Sequence, residues 1–405
     1  MIDNSSSLKI YPLVFVKEKT DTMVGRLDID SFALFPSDGV ALLQQMQAGL
    51  SPEQAAKWYE EQYADSIDMN DFLDTLRDLH FIRDDDEPAE PISPSRSASW
   101  QWLGRAAFSP VAWILYVALF AYCVYDIVHH PILFPHYANV FFSPSYTVVE
   151  VGLFLGQFPG ILLHESFHML AGRRLGISSR LSIGRRMYFV VFETNLTGLW
   201  SVPARYRYLP FLAGMVGDVV WFSLLTVIAE ATMRSQGGYS LLGAVCVALA
   251  FETVFRFLWQ FYFYLRTDLY YIFMNIFGCV DLHHTANRYL RNRLLRLLGR
   301  SSKMEDETSW NPQDRRLARW YAPFYIFGYM LTVTLSLTVG IPIAFQFLSG
   351  IFGHLINGYA HQTYSFWDSI VFLGLNGVQL VVVAAVLWHE YKKKKAQRPK
   401  AVLSA

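Results

Sequence analysis

Six stretches of the chain, 111–128, 148–170, 211–231, 240–265, 324–347 and 367–388, are dominated by apolar residues over roughly the 20 positions a helix needs to cross a bilayer. Nothing else restricts the fold as strongly. Backbone in hydrocarbon must satisfy its own hydrogen bonds, so these runs must be helical unless they close into a barrel. The composition agrees, because 17% of the 405 residues are charged against about 25% in an ordinary soluble domain. A shorter apolar run at 269–280 reads as a re-entrant or interfacial piece. The expected fold is a multi-span α-helical membrane protein, with about six transmembrane helices preceded by a small α+β domain.

Charge placement orients the spans. Residues 1–11 lack the basic-then-apolar pattern of a secretion signal, so the chain is expected to begin in the cytoplasm. Segments 171–210 and 266–323 and the tail after His389 then lie inside, and they hold seven, ten and six Lys or Arg residues. The outside segments 129–147, 232–239 and 348–366 hold zero, one and zero. This asymmetry follows the positive-inside rule and predicts a multi-pass protein of the inner, cytoplasmic membrane with both termini cytoplasmic. The lysines at 392–395 suit anionic lipid. A formal charge of +0 and the lack of a basic domain with interleaved aromatics exclude nucleic acid as a partner. Cys123, Cys246 and Cys279 form no CxxC pair and no disulfide framework.

Residues 11–83 read as a soluble domain. Strands are expected at 13–16 and 31–35, with Asp21 and Gly25 in the connection between them. A helix follows Ser37 and stops at Gly49. Ser51-Pro52-Glu53-Gln54 supplies an N-cap, a proline at the first helical position and a capping-box glutamine. A third helix at 68–79 gathers Phe72, Leu73, Leu76 and Leu79 on one side. An acidic, Pro- and Ser-rich linker at 84–99 separates this domain from the spans.

The second span carries His164-Glu165-Ser166-Phe167-His168, an HExxH pattern. Histidines four residues apart share one helix face, so both imidazoles can reach one metal ion, and Glu165 beside them can take up a proton. An ionisable cluster inside a span is costly to keep unless it is used. Two histidines leave a catalytic zinc one protein ligand short. By topology the fourth span ends inside near Asp268, at the depth of the histidines, which makes Asp268 the best third ligand. Its neighbour Arg266 either orients that carboxylate or anchors the span end.

Other polar residues leave two readings each. Cys279, Asp281, His283 and His284 lie close downstream of Asp268: they form a span end and a polar amphipathic helix, or one of them, best Asp281, supports a ligand from behind. Asp218 and Glu252 either line a path to the metal or satisfy a neighbouring span. Glu150 is expected to be solvated, and Asn376 and Gln379 to bond between helices.

The motif "HESFH" at 164–168 together with "RTDLYYIFMNIFGCVDL" at 266–282 resembles the site-2 protease family of intramembrane zinc metalloproteases. The order of elements and the stretch "SPEQAAKWYEEQYADSIDMNDFLDTLRDLHFI" resemble the PqqD-like fold, a winged-helix-like module that binds the leader of a ribosomally made precursor peptide. The likeness is to the branch of the protease family that carries such a domain. It implies four regions: a PqqD-like peptide-binding domain at 11–83, the linker at 84–99, a metalloprotease membrane core at 100–300, and a two-span region with a basic tail at 301–405. It implies Zn2+ on His164, His168 and Asp268, Glu165 as general base, and a precursor or membrane peptide as substrate. Peptide-modifying enzymes or an exporter are the implied further partners, beside the lipid bilayer itself. In place of the family's Asp-Gly the chain has Asp268-Leu269, which withdraws a glycine's backbone freedom beside a ligand. The rival reading is a non-proteolytic membrane scaffold that presents a precursor to other enzymes. A di-iron oxygenase lacks enough histidines near the inner face, and a secondary transporter lacks a visible inverted repeat.

Overall fold

The computed structural model describes residues 8–18, 21–83, 99–186, 189–236, 240–278, 282–310, 312–359 and 363–396. The chain opens with an antiparallel meander of β1 (Val14–Lys17), β2 (Thr22–Arg26) and β3 (Ser31–Phe35), in the order β1-β2-β3. Helices α1 (Ser37–Gln47), α2 (Pro52–Tyr63) and α3 (Met69–Asp78) follow. Together they form a small N-terminal α+β domain. Its core joins Val24 and Phe35 of the sheet to Val40 and Leu43 of α1 and Leu76 of α3, and extends through Leu42, Met46, Ala55 and Leu73. The capping box at α2 is made in full: Gln54 N–H donates to Ser51 Oγ, and Ser51 N–H donates to Gln54 Oε1 at 3.1 Å. Strand β2 is the element the sequence reading passed over. Gly25 and Arg26 look like a turn, but Gly25 pairs with Phe32, whose ring occupies the place a side chain would take.

Among the described residues, six helices are long and apolar enough to cross a membrane. After α4 (Gln101–Ala107) come α5 (Pro110–His129) and α6 (Tyr146–Arg174). A hairpin of β4 (Ser178–Arg186) and β5 (Phe189–Thr197) leads to α7 (Ala204–Gln236) and α8 (Leu241–Trp259). The short α9 (Asp268–Phe277) and α10 (Leu282–Leu297) precede α11 (Pro312–Leu335). Helix α11 runs through a π-helical turn at Ser336–Gly340 into α12 (Ile341–Gly358), and α13 (Tyr364–Ala396) closes the chain. The molecule is thus a multi-pass α-helical membrane protein.

Two expectations need correction. The fourth span ends at Trp259 rather than near residue 265. The aromatic run that prolongs its apolar signal leaves the α-helix and packs inward: Tyr264 stacks on Tyr329, and Tyr321 donates its hydroxyl to the Phe263 carbonyl at 3.0 Å. Glu150 is not simply solvated, because it accepts from Asn376 at 3.1 Å and from Gln379 at 2.9 Å, and so supplies the partner for the helix-bridging amides of α13.

The chain divides into two compact units, Met1–Tyr122 with Pro159–Ser223 and Thr253–Thr332, and Cys123–Phe158 with Leu224–Glu252 and Val333–Ala405. Within the first, the N-terminal domain is tied to the residue after β5 and to the first turn of α7. Glu18 pairs with Arg207, and Asp30 accepts from the Gly198 N–H at 2.7 Å. Within the second, the carboxylate of Asp368 on α13 receives the backbone N–H groups of Tyr146 and Thr147 and the hydroxyl of Ser145, closing the start of α6.

Candidate metal centre

The C-terminal third of α6 carries His164, Glu165 and His168, all buried. Phe167 and Ala171 lock this part of the helix against Phe108 and against Ala213 of α7, which fixes how α6 is rotated. The two imidazoles project together, with ring centroids 4.8 Å apart.

Each ring is held from behind by an acceptor. His168 Nδ1 lies 2.7 Å from the Pro210 carbonyl, and His164 Nδ1 lies 2.9 Å from Asp218 Oδ2. A carbonyl and a carboxylate can only accept, so both Nδ1 atoms carry the proton and both Nε2 atoms present lone pairs. Asp218 is itself buried, and its other oxygen takes the Arg256 Nε–H at 2.7 Å. Arg256 thus sets an opposite charge against this carboxylate behind the ring.

Asp268 arrives from the first turn of α9. The chain leaves α8, passes a 3-10 turn at Phe263–Leu265 and a left-handed Arg266 (φ 53°), and re-enters helix at Asp268. Gln260 clamps the junction: its side chain accepts the Asp268 N–H at 3.1 Å, and its carbonyl accepts the Thr267 hydroxyl at 2.6 Å. The left-handed backbone of this stretch falls at Arg266, while Leu269 is an ordinary helical residue of α9.

The three ligand atoms converge. His164 Nε2 and His168 Nε2 are 3.2 Å apart, and Asp268 Oδ2 is 3.4 Å from the first and 3.2 Å from the second. Among the described residues they form the one group of three or more such side chains able to hold a metal ion. Three lone-pair atoms so placed repel one another unless a cation sits among them. A tetrahedral ion with bonds of about 2.0–2.1 Å separates its ligands by about 3.3–3.4 Å, which matches these edges. Gly214 of α7 keeps the space beside them, because a Cβ there would fall on both Nε2 atoms. Glu165 Oε1 stands 4.0 Å from His164 Nε2, and the Glu165 carbonyl receives the Thr194 hydroxyl of β5 at 3.0 Å.

The four site residues read from the sequence are therefore gathered in one place. The residues behind them were only partly foreseen. Asp218 carries two readings in the sequence, and its partner Arg256, an arginine inside an apolar helix, is the signal for an ion pair there. Pro210, Gln260 and Gly214 gave no chemical signal. Asp281 and Cys279 lie outside the described residues. His284 is exposed, and His283 lies between the rings of Tyr270 and Tyr325, at centroid distances of 6.0 and 5.4 Å. The chain matches no protein-family model, no curated protein and no solved structure.

Proposed function

We propose that this chain is a membrane-embedded zinc metalloprotease that cleaves a peptide bond in the maturation or leader processing of a ribosomally made peptide. The reading rests first on the convergence of two Nδ1-tethered histidines and Asp268 on a shared point inside a bundle of apolar helices. Nitrogen ligands with one carboxylate suit zinc, and the second-layer partners Asp218 and the Pro210 carbonyl are of the kind that orient zinc-bound imidazoles. The likeness of "HESFH" and of the Asp268 stretch to site-2 proteases points the same way.

In this mechanism His164, His168 and Asp268 would hold the ion. Zinc there would supply a Lewis acid that polarises a peptide carbonyl and acidifies a water. Glu165 acts as general base: its carboxylate removes the proton from the attacking water and returns it to the departing amide nitrogen. A helical substrate resists attack because its carbonyls are bonded internally, so the scissile segment must be extended. Strand β5, tied by Thr194 to Glu165, offers an extended backbone along which such a segment can lie.

The domain at 11–83 serves as the peptide-binding module. Its ties through Asp30 to Gly198, next after β5, and through Glu18 to Arg207 in the first turn of α7 favour transfer of a bound peptide toward the site. The linker at 84–99, the core at 100–300 and the region at 301–405 complete the division. The basic loops put both termini on the cytoplasmic side of the inner membrane.

Purified protein, wild type beside Glu165→Gln and Asp268→Ala, is assayed for bound metal and for cleavage of the precursor peptide by mass spectrometry. The proposal expects about one zinc per chain in wild type and in Glu165→Gln, loss in Asp268→Ala, and cleavage by wild type alone. Stoichiometric zinc without cleavage would favour the scaffold that presents a precursor to modifying enzymes or an exporter. Wild-type protein with no metal would end the assignment.

A further inference from the structure

Helix α10 begins buried and ends exposed. Leu282, Thr285 and Ala286 are packed in the first unit, whereas from residue 293 onward the helix turns almost wholly outward. Leu290, Leu294, Leu297 and Leu298 recur at i, i+4, i+7 and i+8, which draws one apolar stripe along it. Three of these are open: Leu294 is 57%, Leu297 85% and Leu298 59% exposed. The Leu298 N–H still bonds to the Leu294 carbonyl at 3.0 Å, so the stripe is helical to its end, where Gly299 turns left-handed at φ 68°. These leucines lie outside every membrane-spanning helix, so bilayer core does not account for their exposure.

Charge frames the stripe on both sides. No acidic residue occurs between 282 and 304, while Arg288, Arg291, Arg293, Arg296, Arg300 and Lys303 all do. Glu305 takes up two of these, pairing with Arg288 and with Arg291 at 3.0 Å. Arg293, Arg296 and Arg300 remain exposed, Arg293 at the edge of the stripe, Arg296 further round the helix and Arg300 just past its end. At 100° per residue Arg293 and Arg291 flank the stripe on opposite sides, where long cationic side chains can rise from an apolar contact toward phosphate.

We propose that the C-terminal half of α10 is a membrane-surface binding element for anionic phospholipid. Leu294, Leu297 and Leu298 enter the headgroup–acyl boundary, and Arg293, Arg296 and Arg300 bind lipid phosphates. A short helix with a leucine stripe between arginines has the composition that lies in the interfacial plane. The occupant is anionic lipid because Arg293, Arg296, Arg300 and Lys303 share this segment with no acidic residue between 282 and 304, and because a polytopic chain keeps its loops at a bilayer surface. The seat also bears on the site: α10 follows α9, whose first residue is Asp268, so holding α10 at the surface fixes the height of that helix. The inference depends on the protein being membrane-spanning and not on any metal or protease activity.

The test uses the full chain reconstituted in vesicles, with Cys123, Cys246 and Cys279 changed to alanine and one cysteine introduced for an environment-sensitive fluorophore. Leu297→Cys reports the stripe, and Ile114→Cys, on an exposed position of α5, reports insertion in every sample. Quenchers are lipids carrying a spin label near the headgroup, in phosphatidylcholine vesicles with and without phosphatidylglycerol. The expected result is strong quenching at 297 with phosphatidylglycerol, falling several-fold without it or with Arg293→Gln, Arg296→Gln and Arg300→Gln combined. A probe at 297 that stays in water while the probe at 114 is quenched overturns the proposal. Equal quenching in both vesicle types overturns the anionic selectivity, and shielding at 297 that grows with protein density rather than with lipid charge assigns the stripe to a second copy of the chain.

Discussion

Asp218 holds two partners at once, the imidazole of His164 in a buried contact and the guanidinium of Arg256 in a partly buried one. Replacing it with asparagine keeps the shape but removes the charge that favours the correct tautomer and offsets Arg256. Loss of such a supporting carboxylate typically costs 10–100-fold in metal affinity, so Asp218→Asn should lower zinc affinity by about that factor in chelator competition. An unchanged affinity would mean that Asp218 serves only to neutralise Arg256. Asp30 gives a prediction of opposite sign. It sits at φ 54° and accepts the Gly198 N–H, and burial, partly offset by that bond, raises its carboxyl above 3.8. A carboxyl raised in this way contributes stability below its ordinary value and loses it as pH climbs through the raised value. Near neutral pH its charge is therefore a cost. Asparagine tolerates the same backbone and offers a neutral acceptor, so Asp30→Asn should match or exceed wild type in thermal unfolding at pH 7. Asp30→Val, which has no acceptor and is strained at positive φ, should lose about 1–3 kcal/mol. At this scale the candidate ligands are legible: the HExxH pattern and Asp268 stand out from their apolar surroundings. Their supports are not, because a proline carbonyl and a glycine without Cβ act through position alone.

The elements show where apolarity is a faithful guide and where it misleads. Apolar runs locate the spanning helices because hydrocarbon leaves no alternative to internal hydrogen bonding. The same signal overran α8, since Tyr262, Phe263, Tyr264 and Leu265 are apolar for packing against their own protein. Strand β2 was hidden by a glycine that makes room for Phe32. The start of α6 carries a further lesson. Three groups there, the Ser145 hydroxyl and the N–H groups of Tyr146 and Thr147, are received by Asp368, more than 200 residues later. No local pattern announces a cap supplied from so far along the chain. Helix N-caps are worth about 0.5–2 kcal/mol, so Asp368→Ala should lower stability by roughly that amount. Serine at the same position should recover part of it, as read by thermal unfolding in detergent, and equal stability of all three proteins would show that water replaces the carboxylate.

For the whole molecule, the division into helical membrane region and small α+β domain followed from composition and pattern, whereas the pairing of distant segments did not. The metal reading adds a global expectation. An ion that binds the folded state alone stabilises it by about 2.7 kcal/mol at a hundredfold excess over its dissociation constant. Chelator-treated protein should thus unfold at a lower temperature than untreated protein, with zinc restoring the difference in wild type and not in Asp268→Ala. Identical transitions would argue that no ion is held in the native protein. The last feature concerns time rather than space. Asp268 stands 100 residues beyond His168, past two further spanning helices. During synthesis the histidines enter the bilayer long before their third partner exists, and Gln260, which clamps that partner, is made only just ahead of it. If the proposed metalloprotease reading holds, the nascent chain passes through its early insertion with an incomplete set of ligands, inert toward neighbouring polypeptides, and would acquire its chemistry only once the fourth span is in place.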